Sequence, residues 1–119
     1  MKKYIELLFS SRLQSHVYHL QTKSYAKHIA LNEYYEEIVC LIDTLVETYQ
    51  GKYDIIDFDF TTKINGLQSD EDIITYFERL LKYTQAERKN LPQDDMLTAK
   101  YDDIDELIST TLYKLKHLS

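Results

Sequence analysis

HVYHLQTKSYAKHIALNEYYEEIVCLIDTLVETYQG, residues 16–51, contains three of the four histidines and the only cysteine of the chain. From about Ser24 to Gln50 it carries a helical pattern. Leu31, Tyr35, Ile38, Ile42, Leu45 and Tyr49 recur at alternating steps of four and three, giving one continuous apolar stripe. On the same helix wheel His28, Asn32, Asp43 and Glu47 fall within about 100° of one another. All four side chains can bind a metal or accept a hydrogen bond. Fifteen residues separate His28 from Asp43. That is about 22 Å of helix, too far for one ion to touch both within one chain. Two copies packed across a two-fold axis near Tyr35 and Glu36 would bring His28 of one toward Asp43 and Glu47 of the other. The alternative is a polar flank with no chemistry.

The remaining chain supplies three more helical patterns. Residues 3 to about 22 place Ile5, Leu8, Phe9, Leu13, Val17 and Leu20 on a first stripe, with His16 and His19 one turn apart beside it. A third helix is predicted to begin at Ser69 with Asp72 in a capping-box relation. Its inner residues are Ile73, Phe77, Leu80, Leu81 and Thr84. Asn90-Leu91-Pro92 breaks the chain. A fourth helix capped by Asp94 or Asp95 follows, with Leu97, Tyr101, Ile104, Ile108, Leu112 and Leu115 inside and His117 exposed. Thr22 or Ser24 caps the second helix. Gly51 is expected to end it in a left-handed conformation.

Between the second and third helices lies GKYDIIDFDFTTKINGLQ, residues 51–68. Ile56, Phe58 and Phe60 alternate with Asp57 and Asp59. A single short strand would lack a partner, so the reading is an extended crossover with its aromatic rings laid on the bundle, or a brief helix. Asp54, Asp57 and Asp59 lack the glycine and closing glutamate of a calcium loop and read as a solvated face. The expected fold is all-α: one domain over residues 1–119, an antiparallel four-helix bundle with a long connection between helices 2 and 3.

The stretch around the histidines resembles the mini-ferritins, the DNA-protection proteins of starved cells within the ferritin-like four-helix proteins. Their intersubunit di-iron site is built from two histidines, an aspartate and a glutamate. His28, Asp43 and Glu47 reproduce the spacing of the last three, and IDTLVE resembles the family's run. His19, followed by LQTK, looks like the first histidine. Asn32 falls where the family often has an aspartate near the metal, and DMLTAKYDDIDELISTTLYKL resembles its last helix. The chain is also similar to short ferritin-like proteins encoded by large bacteriophages. It departs from the family in three places. The nine-residue interval from His19 to His28 is shorter than the family's, which His16 to His28 reproduces instead. Leu20 replaces a bulky aromatic, and the glycine turn is absent.

The resemblance implies iron binding between subunits of a homodimer or larger homo-oligomer. The ligands would be His19 and His28 from one chain and Asp43 and Glu47 from the other, with His16 and Asn32 as further candidates. Such a site is a ferroxidase, oxidising Fe(II) with oxygen or peroxide, with two irons bridged by Glu47. The second reading is an inactive interaction or structural protein that has kept the fold only, for example a phage-encoded one. A third, a small anion binder, finds no glycine-rich phosphate loop or arginine cluster to support it.

Composition bounds these readings. A net charge of −6 without a basic block predicts weak or absent DNA binding. The lone Cys40 excludes an internal disulfide and is expected to pack as a core thiol. MKKYIELLFSS does not form a convincing signal peptide, and no run of apolar residues is long enough to span a bilayer. A cytoplasmic location is expected, the host cytoplasm for a phage product. Eleven tyrosines without a tryptophan suit bundle edges or an oligomer interface. In ferritin-like proteins an aromatic near the iron can also donate electrons; Tyr18, Tyr25 and Tyr35 are the candidates for that role, with core or interface packing the favoured reading.

Overall fold

A computed structural model describes residues 1–119. The chain is all-helical and contains no strand: α1 (Lys2–Gln21), α2 (Tyr25–Lys52), α3 (Glu71–Glu87) and α4 (Asp95–His117), with one 3-10 turn at Arg88–Asn90. The four helices pack as a bundle. α1 lies beside α2 and α3, and α4 lies beside α2 and α3, so α2 and α3 occupy opposite corners.

Local chemistry sets the helix ends. The Ser24 hydroxyl accepts the Lys27 N–H at 3.2 Å and starts α2. α3 starts at Glu71 with Asp70 as its N-cap, two residues later than expected; Ser69 forms the turn before it, its hydroxyl accepting from the Glu71 N–H while the Asp72 carboxylate accepts from the Ser69 N–H at 3.1 Å. Two other ends differ from expectation. α2 runs through Gly51 to Lys52, and no glycine has a positive φ. Asp94 stands at the start of α4, but its carboxylate makes no cap bond. It instead binds Lys52 at 2.8 Å and accepts from the Tyr53 hydroxyl at 2.6 Å, tying the end of α2 to the start of α4. These two contacts hold the Asp94 carboxyl below the usual carboxylate range, the Lys52 contact most strongly.

Most of the expected core stripes of α2, α3 and α4 are buried, with Tyr35, Tyr49, Leu81 and Leu112 only half-buried. Leu31, Ile38, Ile42 and Leu45 are buried with Ile73, Phe77, Leu80, Leu97, Tyr101, Ile104, Ile108 and Leu115. Tyr34, not Tyr35, is the deep aromatic of α2, fully buried and edge-on to Phe77 at 4.9 Å. Cys40 is exposed, which corrects its reading as a core thiol: it lies on the outer side of α2.

α1 is turned relative to the expected stripe. Its inward residues are Tyr4, Leu8, Ser11, Ser15 and Tyr18, with Ile5 and Gln14 beside them, whereas Leu13 and Leu20 are 43% and 70% exposed. Small serines allow close approach to α2, and their hydroxyls are satisfied locally. Ser11 donates to the carbonyl of Leu8 and Ser15 to that of Arg12. Tyr34 then donates its hydroxyl to Ser11 Oγ at 2.7 Å.

Residues 53–70 form the long connection, extended as expected. It follows α1. Phe58 and Phe60 pack on Phe9, Thr62 bonds Ser10, Asn65 exchanges two hydrogen bonds with Gln14, the Leu67 N–H donates to Gln21, and Asp70 accepts from Thr22. Side chains of α1 thus satisfy backbone groups that have no strand partner.

Candidate functional site

The turn Thr22–Ser24 between α1 and α2 brings the first two histidine helices together. A helix leaves its last carbonyls without intrahelical donors. In α1 the carbonyl of Tyr18 receives the Thr22 N–H, but no backbone N–H reaches that of His19. His28 fills the gap: its Nδ1 lies 2.8 Å from the His19 carbonyl oxygen. The reverse contact is equally short, with His19 Nδ1 at 2.7 Å from the His28 carbonyl. A carbonyl only accepts, so both rings carry a proton on Nδ1, and the neutral form of each ring has its lone pair on Nε2. A second-sphere carbonyl that fixes the tautomer in this way is the usual support of a metal-binding histidine.

The two rings stack with centroids 3.7 Å apart and planes 19° from parallel. A nitrogen lone pair lies in its ring plane, and a metal–imidazole bond is about 2 Å long. One ion at that distance does not lie in both planes. The pair therefore presents two separate nitrogen positions rather than a single chelate. His19 is only 9% exposed, while His28 is half-buried.

His16 and Tyr35 extend the cluster. The His16 ring stacks on Tyr35 at 4.3 Å and meets the edge of His19 at 6.0 Å. Tyr35 stands edge-on to His19 at 5.3 Å and donates its hydroxyl to Asn32 Oδ1 at 2.6 Å. Tyr25 lies over the outer side of His28 at 6.4 Å. Of the expected site residues, then, His16, His19, His28 and Asn32 share one locality, and Tyr35 links them. Sequence spacing marked these residues but not the paired carbonyl bonds, which require the hairpin.

Asp43 and Glu47 are not part of this locality. Both are exposed on α2, one turn apart. Within one chain no three side chains among histidine, cysteine, aspartate and glutamate converge on a point that would hold an ion. The residues expected as ligands are thus divided: His19 and His28 sit at the α1–α2 turn, Asp43 and Glu47 farther along α2.

Exposed apolar side chains flank the histidines. Leu13 and Leu20 on α1 are joined by Tyr25 and Ile29 on α2, which are 78% and 38% exposed. No helix of the chain is long and apolar enough to cross a membrane.

A family model described as a family of unknown function (DUF5856) matches residues 19–115. No curated protein and no solved structure matches the chain.

Proposed function

The chain belongs to that family of unknown function, and we propose that it is a ferritin-like four-helix protein that binds iron at a site shared between two copies. The observation that carries the reading is the reciprocal pair of carbonyl bonds, which leaves Nε2 of both His19 and His28 free.

The helix order supports a ferritin-like, antiparallel arrangement. Ser11 meets Tyr34 while His19 meets His28. Lys52 meets Asp94 while Lys114 meets Glu33. Arg88 meets Asp102 while Glu78 meets Lys116. In each helix pair the numbers fall on one side as they rise on the other. With α2 and α3 at opposite corners, the link between them has to travel the length of the bundle, as in ferritin-like connectivity.

In this reading Fe(II) is the substrate. His19 and His28 of one copy would supply nitrogen. Asp43 and Glu47 of the other would supply the anionic oxygens that a hard cation needs. Bound iron would supply the one-electron chemistry, Fe(II) to Fe(III) with oxygen or peroxide as acceptor. The protein residues fix the imidazole tautomers, exclude bulk water from the His19 side and place carboxylate charge beside the ion. The flanking Leu13, Leu20, Tyr25 and Ile29 suit burial against the second copy.

Anaerobic Fe(II) titration followed by air tests this. The expected result is an Fe(III) absorbance in the parent that is absent in Asp43→Ala. The same hydrogen bonds favour a second reading, in which the histidines serve only to staple the α1–α2 turn of an interaction protein. No saturable Fe(II) binding in the parent would select it.

A further inference from the structure

From Asp57 to Ile64 the crossover is extended, and none of its backbone N–H or carbonyl groups has a hydrogen-bond partner within the chain. An open row of such groups is a template for another strand. One edge of it borders a trough between the crossover and α3, floored by α1. Two depressions, of about 550 and 520 Å³, make up the trough and share Tyr76 and Arg79. Phe60 and Thr61 both line the first, Asn65 and Gly66 the second. Consecutive residues of an extended chain point to opposite faces, so a wall to which both contribute is the backbone edge between them. Leu7, Tyr76 and Leu80 make the first depression apolar. From Lys3, which lines one end, to Tyr18, which lines the other, is fifteen residues of α1, or about 22 Å. That length holds a strand of about six or seven residues. The free charge in the trough is positive. Lys3 and Arg79 are exposed, and neither is in an ion pair within the protein. Of the acids there, Asp72 already accepts from the Gln68 and Ser69 N–H groups, and Glu6 has one oxygen shut from solvent.

We propose that the trough binds an extended acidic segment of a partner protein, added as a strand to the free edge of the crossover. Alternate residues between Asp57 and Ile64 give their N–H and carbonyl groups to it. Apolar side chains of the segment lie on Leu7, Tyr76 and Leu80, and its carboxylates meet Arg79 and Lys3. The crossover of a second copy is a poorer occupant, because Phe58 and Phe60 already hold it on its own α1 through Phe9. The site uses none of the histidines and does not depend on iron binding.

The test is a titration of the full chain with three capped heptapeptides: one alternating valine and aspartate, its valine–lysine counterpart, and the valine–aspartate peptide with every amide N-methylated. With the first, amide hydrogen exchange read by NMR is expected to slow at every second residue between Asp57 and Ile64 and not at those between, with the amides of His19 and His28 unmoved. The lysine peptide loses the charge pairs and the methylated peptide the backbone bonds, so each is expected to bind about tenfold or more weakly. The surface change Arg79→Ala, shown folded by circular dichroism, is expected to weaken the valine–aspartate peptide roughly threefold at low ionic strength. Four results would overturn the proposal: no saturable binding of that peptide, equal binding of its lysine counterpart, undiminished binding of the methylated form, or protection spread evenly along residues 57–64. Slow exchange of the same amides in peptide-free protein, increasing with protein concentration, would also overturn it by assigning the edge to a second copy.

Discussion

His19 and His28 each hold the other's backbone: Nδ1 of either ring donates to the carbonyl of the other residue, at 2.7 and 2.8 Å, while the rings stack at 3.7 Å. The contact closes the α1–α2 turn and engages Nδ1 of each ring, leaving both Nε2 atoms without a partner in the chain. Because ring orientation is set before any ion arrives, binding there would need little reorganisation of either side chain.

The divided donor set leads to a complementation test. His28→Ala and Asp43→Ala homodimers are each expected to lose Fe(II) oxidation. Subunit exchange between them should restore one intact site in each mixed dimer. Random pairing makes half the dimers mixed, so about a quarter of parental activity should return. No recovery, with exchange confirmed by mass-tagged subunits, would separate the histidines of one chain from the carboxylates of the other.

Ser11 and Tyr34 form a buried bond that is testable without any ligand. Ser11→Ala leaves the fully buried Tyr34 hydroxyl without a partner and is expected to lower stability by about 1–3 kcal/mol. Tyr34→Phe leaves Ser11 bonded to Leu8 and should be milder. Urea unfolding of the double variant should show less loss than the two single losses added together.

Arg88 is the polar clamp on α4. It reaches Asp105 at 2.9 Å, Asp102 at 2.6 Å and the carbonyl of Thr98, and lies over the Tyr101 ring at 5.6 Å. Asp105 already has one buried oxygen without a partner. Arg88→Ala should therefore cost about 2 kcal/mol in urea unfolding. Arg88→Lys should recover less than half, because an ammonium lacks the fork that serves three acceptors at once.

The tyrosines predict an alkaline limit. Burial pushes the hydroxyls of Tyr4, Tyr34 and Tyr76 far above the ordinary value, and that of Tyr101 up to about 12. Unfolded tyrosine ionises near pH 10, at about its reference pKa. Above that pH the unfolded chain releases protons that the folded chain retains, so stability falls as pH rises and is unaffected by these groups below it. Phenolate absorbance should show Tyr4, Tyr34 and Tyr76 ionising only together with loss of helical circular dichroism. Their gradual titration in the folded protein would contradict the burial.

The sequence by itself determined the four helices, the extended link and most of the core, because a helix that buries one face must repeat apolar residues at its own period. Leu31, Ile38, Ile42 and Leu45, Ile73, Phe77, Leu80 and Thr84, and Leu97, Tyr101, Ile104, Ile108 and Leu115 obey that rule, and the structure buries them. The rule failed on α1, where Leu13 and Leu20 have the right period yet face outward, and Ser11, Gln14 and Ser15 are inside. A polar residue can be buried wherever a partner awaits it, and those partners (Tyr34, the carbonyls of Leu8 and Arg12, Asn65) are fixed by packing rather than by pattern. The candidate site divides along the same line. Spacing singled out His19, His28, Asp43 and Glu47 as residue types able to bind a metal. Only the tertiary structure decided which nitrogen of each ring is free, because a tautomer depends on the acceptor opposite it, and each acceptor here is the carbonyl of a residue nine positions away on the other helix.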